Sequence, residues 1–321
     1  MLENECIRLG HGRTLSYAVY GSPMPRTTIM YMHGFPSSRF EGKLWHSACA
    51  KHHIRLIAPD RPGMGASAMQ PNRSILDWPT DVLLLAGHLK ISQFYILAVS
   101  GGAPYALACT KQIPADRLLG VSIVSGLYPT KFGTAGMIVQ TRVMLWAAPW
   151  IPSLASFLFD EIMGKAARNK DPRVFEDLMA QEMDSRHQGD REVIKDSQNW
   201  PVFVAMTREA FGQGSAGVGW EARLLGSDWG FELSQLRVGG NSIPVTLWHG
   251  KDDIDCPVTM AEKANELISG SVLRLQDGEG RAGFIFRYVG EILDNLVCVA
   301  EPEGYIQFTE TEEYVRIGLV G

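Results

Sequence analysis

The segment "LAVSGGAPYALA" sets a serine, Ser100, between an apolar run and an Ala-rich stretch, with Ala98 two positions before it and Gly101 and Gly102 after it. Small neighbours are what a sharp strand-to-helix turn demands, because the central residue is held in strained backbone geometry and bulk beside it clashes. A serine there presents its hydroxyl for attack on a carbonyl carbon. The N–H groups and positive dipole end of the following helix favour the oxyanion that such an attack creates. A second stretch, "YMHGFPSS", ends an apolar run in His33-Gly34-Phe35-Pro36. Such a loop supplies the other oxyanion donor, here the backbone N–H of Phe35, to join that of Gly101. His33 itself reads as a hydrogen-bonded brace of the loop.

These residues need a scaffold that delivers them to one place, and the chain shows one. Apolar runs bounded by turn residues, "TTIMYMHG", "IRLIAPD", "FYILAVSGG", "LLGVSIVSG" and "PVTLWHG", are each followed by a longer segment. That rhythm predicts βαβ units and a mainly parallel sheet. In "SILDWPTDVLLLAGHLK", Asp77 and Pro79 open a helix whose Val82, Leu85 and Leu89 share a face that docks on the sheet. From about Leu127 the alternation stops and helical patterns take over ("RVFEDLMAQEM", "WPVFVAMTREAFGQG"), until strands resume at Ile243. The organisation expected is a core of residues 1–127 and 241–300, a helical cap of residues 128–240 over a ligand cavity, and a tail of residues 301–321. The greasy stretch Met137 to Phe159 is broken by Arg142, Pro149 and Pro152. It reads as a lid that greases the pocket, or as a membrane-surface contact, and no transmembrane segment is expected. The acidic tail leaves open an added edge strand or a contact in a homodimer.

Composition narrows the chemistry. With 45% apolar and 20% charged residues in 321, the chain is that of a globular protein, and a net charge of −5 without any Lys/Arg run argues against nucleic acid as a partner. Five scattered cysteines without a CxxC pair suit reduced thiols better than disulfides or a zinc site. No metal or cofactor is implied. With no apolar segment near the start to serve as a secretory signal, the expected location is cytoplasmic.

In order along the chain, "HGFPSS", "DRPGMGAS", "WPTDVLLLAGHL", "AVSGGAPYALA", "EAFGQG", "DWGF" and "LWHGKDDIDCP" together resemble the α/β-hydrolase superfamily, in its capped branch with a Ser-Gly-Gly elbow; the likeness runs from about Arg8 to Val299. The resemblance implies an α/β fold with an eight-stranded, mainly parallel sheet flanked by helices. It implies that Ser100 is the nucleophile and that the acid lies in "HGKDDIDCP". The family's spacing falls on Gly250, Asp253 and Pro257, which makes Asp253 the acid and leaves Asp252 and Asp255 as solvent or turn residues. Asp60-Arg61-Pro62-Gly63 then forms the loop after the fourth strand, with a structural duty, and Cys256 stands where a valine is usual. A serine rather than an aspartate at position 100 argues against epoxide hydrolase or dehalogenase chemistry.

The resemblance also implies a catalytic histidine in a final GEGH element, where this chain reads Gly278-Glu279-Gly280-Arg281, with Glu291-Ile292-Leu293 holding the register. An arginine, with a pKa above about 12, does not take a proton near neutral pH. Loss of the histidine from a comparable triad costs on the order of 10⁶ in turnover. Of the remaining histidines, His187 in a cap loop has a route to the site as a substitute base. Arg281 has two readings: an ion pair with Asp253, or a fixed cation facing a carboxylate, enolate or phenolate of the ligand. Three functions follow for a carbonyl-bearing apolar small-molecule substrate. One is hydrolysis of an ester, lactone or thioester with an impaired or substituted triad. The second is a non-hydrolytic cyclase, isomerase or lyase of secondary metabolism in the same pocket, and the third is a catalytically silent binder. The Met- and Trp-rich cap is expected to supply the apolar walls.

Overall fold

Eight strands are built from β1 (Leu2–Arg8), β2 (Thr14–Gly21), β3 (Thr27–Met32), β4 (Ile54–Pro59), β5 (Phe94–Val99), β6 (Leu118–Val124), β7 (Val245–Gly250) and β8 (Val272–Gln276). The computed structural model describes residues 1–298 apart from 11, 185, 187, 237, 240 and 241, so the expectations for His187 and for the tail lie outside the described residues. The sheet order is β1-β2-β4-β3-β5-β6-β7-β8. β2 runs antiparallel to both β1 and β4, and all other neighbours are parallel. The strands β5 and β7 are buried along their whole length, as mainly apolar strands covered on both faces are.

Helices cover both faces. Before the last pair of strands come α1 (His46–Lys51), α2 (Trp78–His88) and α3 (Ala103–Gln112); after β7 come α11 (Val258–Leu267), α12 (Arg281–Arg287) and α13 (Val289–Cys298). Val82 and Leu85 of α2 are buried in the larger core cluster, with Leu89 packed at its edge. The chain leaves β3 for β4 on one side and leaves β5 for β6 on the other, so the loops after these two neighbouring strands diverge above a crevice. Ligands enter doubly wound sheets at such a switch point.

Between β6 and β7 the described residues form no strand but a series of helices: α4 (Val139–Ala147), α5 (Pro152–Phe159), α6 (Lys165–Ala167), α7 (Pro172–Asp184), α8 (Gln188–Ile194), α9 (Trp200–Ala210) and α10 (Ala216–Gly226), with a π-helical turn, Asp160–Gly164, continuing α5. α10 approaches the loop after β4 so closely that a Cβ on Gly217 would lie 1.9 Å from the carbonyl oxygen of Gly63, a contact that only glycine allows. The stretch Met137 to Phe159 does not line the cleft described below. Its inner residues Leu145, Ala148 and Ala155 are buried, whereas Trp146 and Trp150 are 74% and 80% exposed. Two short helices joined at prolines can turn only one face inward, so much of this apolar sequence is left outside. No helix among the described residues is long and apolar enough to cross a membrane.

Candidate active site

Ser100 sits on the turn from β5 to α3 with φ of +52°. A left-handed conformation is costly for serine and persists only where the surroundings enforce it. Here a Cβ on Gly102 would come 2.2 Å from the carbonyl oxygen of Met32, so the start of α3 is pressed onto β3. The same close packing puts Gly101 against Phe35: a Cβ on Gly101 would lie 2.8 Å from Phe35 Cβ and 3.4 Å from Phe35 N. Neither backbone N–H, of Phe35 or Gly101, has an acceptor among the described residues, and neither does the Ser100 hydroxyl. Two unsatisfied donors and a hydroxyl therefore meet at the carboxyl ends of β3 and β5.

The Phe35 loop is braced from below. His33 is fully buried, with Nδ1 at 2.9 Å from the Gly34 carbonyl and Nε2 accepting from the Arg61 N–H at 3.3 Å. Burial, then the charge of Arg61, holds its pKa well below the ordinary imidazole value, so it stays neutral as a brace. The Arg61 guanidinium donates to the carbonyls of His33 (2.6 Å) and Gly34 (2.8 Å) and to the Glu221 carboxylate of α10 (2.6 Å). Arg73 and the Tyr105 hydroxyl complete the set on Glu221. Asp60 accepts from Ser16, Ala66 and Arg39 and serves the structure rather than the cleft.

Asp253 follows β7 and is 4% exposed, its Oδ1 accepting from the N–H groups of Asp255 (2.8 Å) and Cys256 (2.9 Å). Arg281, the first residue of α12, lays its guanidinium on that carboxylate, Nε to Oδ2 at 3.3 Å and Nη2 to Oδ1 at 3.4 Å. Nη2 also donates to Cys256 Sγ at 2.9 Å, and Nη1 lies 3.7 Å from Asp255 Oδ2. Burial opposes the guanidinium charge, but the carboxylates of Asp253 and Asp255 more than offset it, so the arginine stays charged. Burial also pushes the Cys256 thiol up to about 12, so it is protonated. Asp255, expected as a solvent or turn residue, lies in the turn after β7 but is not free in solvent: it is half-buried between Arg281 and Arg186, and these two hold its carboxyl below the usual range against its burial. Asp252 is exposed, as expected.

Among the described residues no imidazole reaches Ser100. His249 comes nearest to the acid, Nε2 to Asp253 Oδ2 at 3.8 Å, but that nitrogen donates to the Cys256 carbonyl at 2.7 Å and the ring is fully buried. Three groups invisible to motif reading complete the site. Arg186 of the helical insertion pairs with Asp255. Asp190 of α8 accepts the N–H groups of Arg281 (3.2 Å) and Gly283 (2.9 Å), capping α12 from the opposite layer. Glu41, in the turn of 3₁₀ helix Arg39–Trp45, accepts from the Tyr31 hydroxyl (2.8 Å) and the Gly34 N–H (2.9 Å). Nothing in their local sequence marks them, because each acquires its role from an element distant in the chain.

The cleft above these groups has a volume of about 230 Å³ and is floored by Ser100, Phe35, Glu41 and Arg281. Its far wall is Met163, Met179, Met183, Phe203 and Met206 from the insertion. The expected methionines are there; the insertion's tryptophans are not, since Trp146 and Trp150 face outward.

A model of the alpha/beta hydrolase family matches residues 29–277. The chain belongs to that family. Among relatives of this α/β-hydrolase is an uncharacterized hydrolase, YcgS, of Bacillus subtilis strain 168, 29% identical over 162 residues that make up 48% of this chain and 55% of that protein. The aligned region thus spans about half of that relative. Similar solved structures include a thermophilic esterase from Thermogutta terrifontis (TM-score 0.62, 18% identity, 93% of this chain and 100% of that one). Another is an enol-lactonase from Burkholderia xenovorans LB400 (TM-score 0.61, 17% identity, 92% and 99%). Likeness at this identity establishes the shared fold.

Proposed function

We propose that this α/β-hydrolase opens an ester or lactone carbonyl of an apolar small molecule, with Ser100 as nucleophile and the N–H groups of Phe35 and Gly101 as oxyanion donors. The observation that carries the reading is the strained serine lying beside two backbone donors with nothing to bind, at the floor of a Met- and Phe-walled cleft. The named activities of the esterase and the enol-lactonase agree with a carbonyl substrate of this kind. Residues 128–240 act as the cap that closes the cleft and keeps water from the acyl group.

Asp253 occupies the acid's place, and Arg281 takes the place of the histidine that would link it to Ser100. Its guanidinium is spent on Asp253 and Asp255, so the ion-pair reading holds the loop after β7 and α12 together while proton transfer falls to other groups. Turnover is accordingly slow by the standards of a complete triad. The lack of an imidazole at the Ser100 hydroxyl favours one second reading, in which the same donors polarise a carbonyl for a cyclase, isomerase or lyase reaction without an acyl-enzyme. The test is hydrolysis of short p-nitrophenyl esters and γ-lactones by the wild type and Ser100→Ala. Slow turnover that Ser100→Ala abolishes supports the proposal; turnover unchanged in the variant contradicts it.

A further inference from the structure

A serine nucleophile without histidine still has to lose a proton and return it, and the cleft holds one carboxylate placed for that task. A Cβ built on Gly34 would meet Glu41 Oε2 at 3.4 Å, Glu41 Oε1 at 3.5 Å and Ser100 Cβ at 3.6 Å. Both side chains therefore border the same methyl-sized space beside Gly34, near enough for one water to link the Ser100 hydroxyl to the carboxylate. Both residues line the cleft.

We propose that Glu41 is the proton acceptor for Ser100, standing in for the missing histidine. This rests on the reading of Ser100 as nucleophile. As Oγ bonds to the carbonyl carbon, the hydroxyl proton passes to Glu41 and the carbonyl π pair moves onto oxygen, held by the Phe35 and Gly101 N–H groups. Collapse of the intermediate breaks the bond to the leaving oxygen, which takes the proton from Glu41. Water then attacks the acyl group, gives its proton to Glu41, and the proton returns to Oγ as the acid leaves. No co-reactant beyond water enters, and the protons balance.

The setting of Glu41 suits a base. Oε1 accepts one hydrogen bond, from Tyr31, and Oε2 one, from Gly34, so each oxygen keeps acceptor capacity toward the cleft. Trp45 Nε1 donates to the Tyr31 hydroxyl at 3.2 Å, which turns that hydroxyl's proton toward Glu41 and fixes the carboxylate's direction. A base oriented by a third group is the arrangement that an activated nucleophile needs. The titratable and charged neighbours are Tyr31 on β3 and Arg61 on the loop after β4. Burial outweighs the nearby Ser37 hydroxyl, the hydrogen bonds from Tyr31 and Gly34 and the charge of Arg61, and raises the Glu41 carboxyl above the usual range, which strengthens it as a proton acceptor near neutral pH. Asp190, the other buried carboxylate at the cleft, is engaged with the N–H groups of α12.

The test compares wild type, Ser100→Ala, Glu41→Gln and Glu41→Asp on p-nitrophenyl acetate. Ser100-dependent turnover in the wild type is the precondition, and its absence overturns the nucleophile reading together with this one. Given that turnover, Glu41→Gln lowers kcat by on the order of 10²-fold or more with KM little changed, and added formate restores part of it. A Glu41→Gln enzyme within twofold of wild type overturns the role of Glu41 alone. The wild-type pH profile reads the same point without any variant. Its acid limb should have a midpoint above about 4.3, the value of an unperturbed glutamate, and should be displaced in Glu41→Asp. A profile flat from pH 4 to 8 overturns the assignment.

Discussion

Arg281 and Asp253 form an ion pair in which the guanidinium contacts both carboxylate oxygens, at 3.3 and 3.4 Å, and the carboxylate is almost wholly shielded from water. Breaking a buried pair by removing one partner leaves the other charge uncompensated. Arg281→Ala should therefore lower stability by about 3 kcal/mol, the low end for such pairs, because Arg186 remains on Asp255. Urea denaturation checks this. A midpoint equal to that of the wild type means the pair contributes nothing.

Glu221 joins the helical insertion to the core through Arg61 and Arg73, all three side chains being at most 2% exposed. Burial pushes its carboxyl up, but the two guanidinium groups overcome this and hold it below the usual value. A depressed folded pKa means that the stabilisation is complete above the unfolded value of about 4.3 and is lost as pH falls through the folded one. Glu221→Gln should thus cost about 3 to 5 kcal/mol at neutral pH, with the gap in melting temperature constant down to about pH 5 and closing only in more acid solution. A gap that widens on acidification contradicts this sign. Because Arg61 also holds the His33 and Gly34 carbonyls, the variant should also lose the Ser100-dependent turnover proposed above.

Asp190 is the link between α8 and the first turn of α12, the helix that begins with Arg281. Asp190→Ala removes that cap and should cost about 1 to 2 kcal/mol. Hydrogen exchange should show faster exchange of the Arg281 and Gly283 amides in the variant. Unchanged protection of both means that the cap does not hold α12.

The sheet was legible where its strands are buried on both faces, since β3 to β7 are mainly apolar runs between turn residues. The outer strands were less so. β8 pairs only with β7 and alternates between half-buried and exposed positions, and β1 at the other edge has a single buried residue, so neither carries an apolar run. The site divides the same way. Ser100, Gly101, Phe35, Asp253 and Arg281 stand in contiguous blocks whose small residues and turns declare a purpose, and the fold brings them to the ends of β3, β5 and β7. Glu41 lies in "SSRFEG" and Asp190 in "HQGDRE", polar stretches that look like solvated loops until Gly34 and α12 are folded against them. The helical insertion misled for a related reason. Trp146 and Trp150 read as pocket walls by type, but the cleft faces the opposite side of that layer, on α7 and α9.

The central claim is that Ser100 is a nucleophile deprived of its imidazole. It is tested most directly by treating the wild type and Arg281→His with a fluorophosphonate and locating the adduct by mass spectrometry. One adduct is expected, on Ser100, forming slowly in the wild type and at least about tenfold faster when an imidazole can bridge Asp253 and the hydroxyl. No adduct on Ser100 in either protein would contradict it.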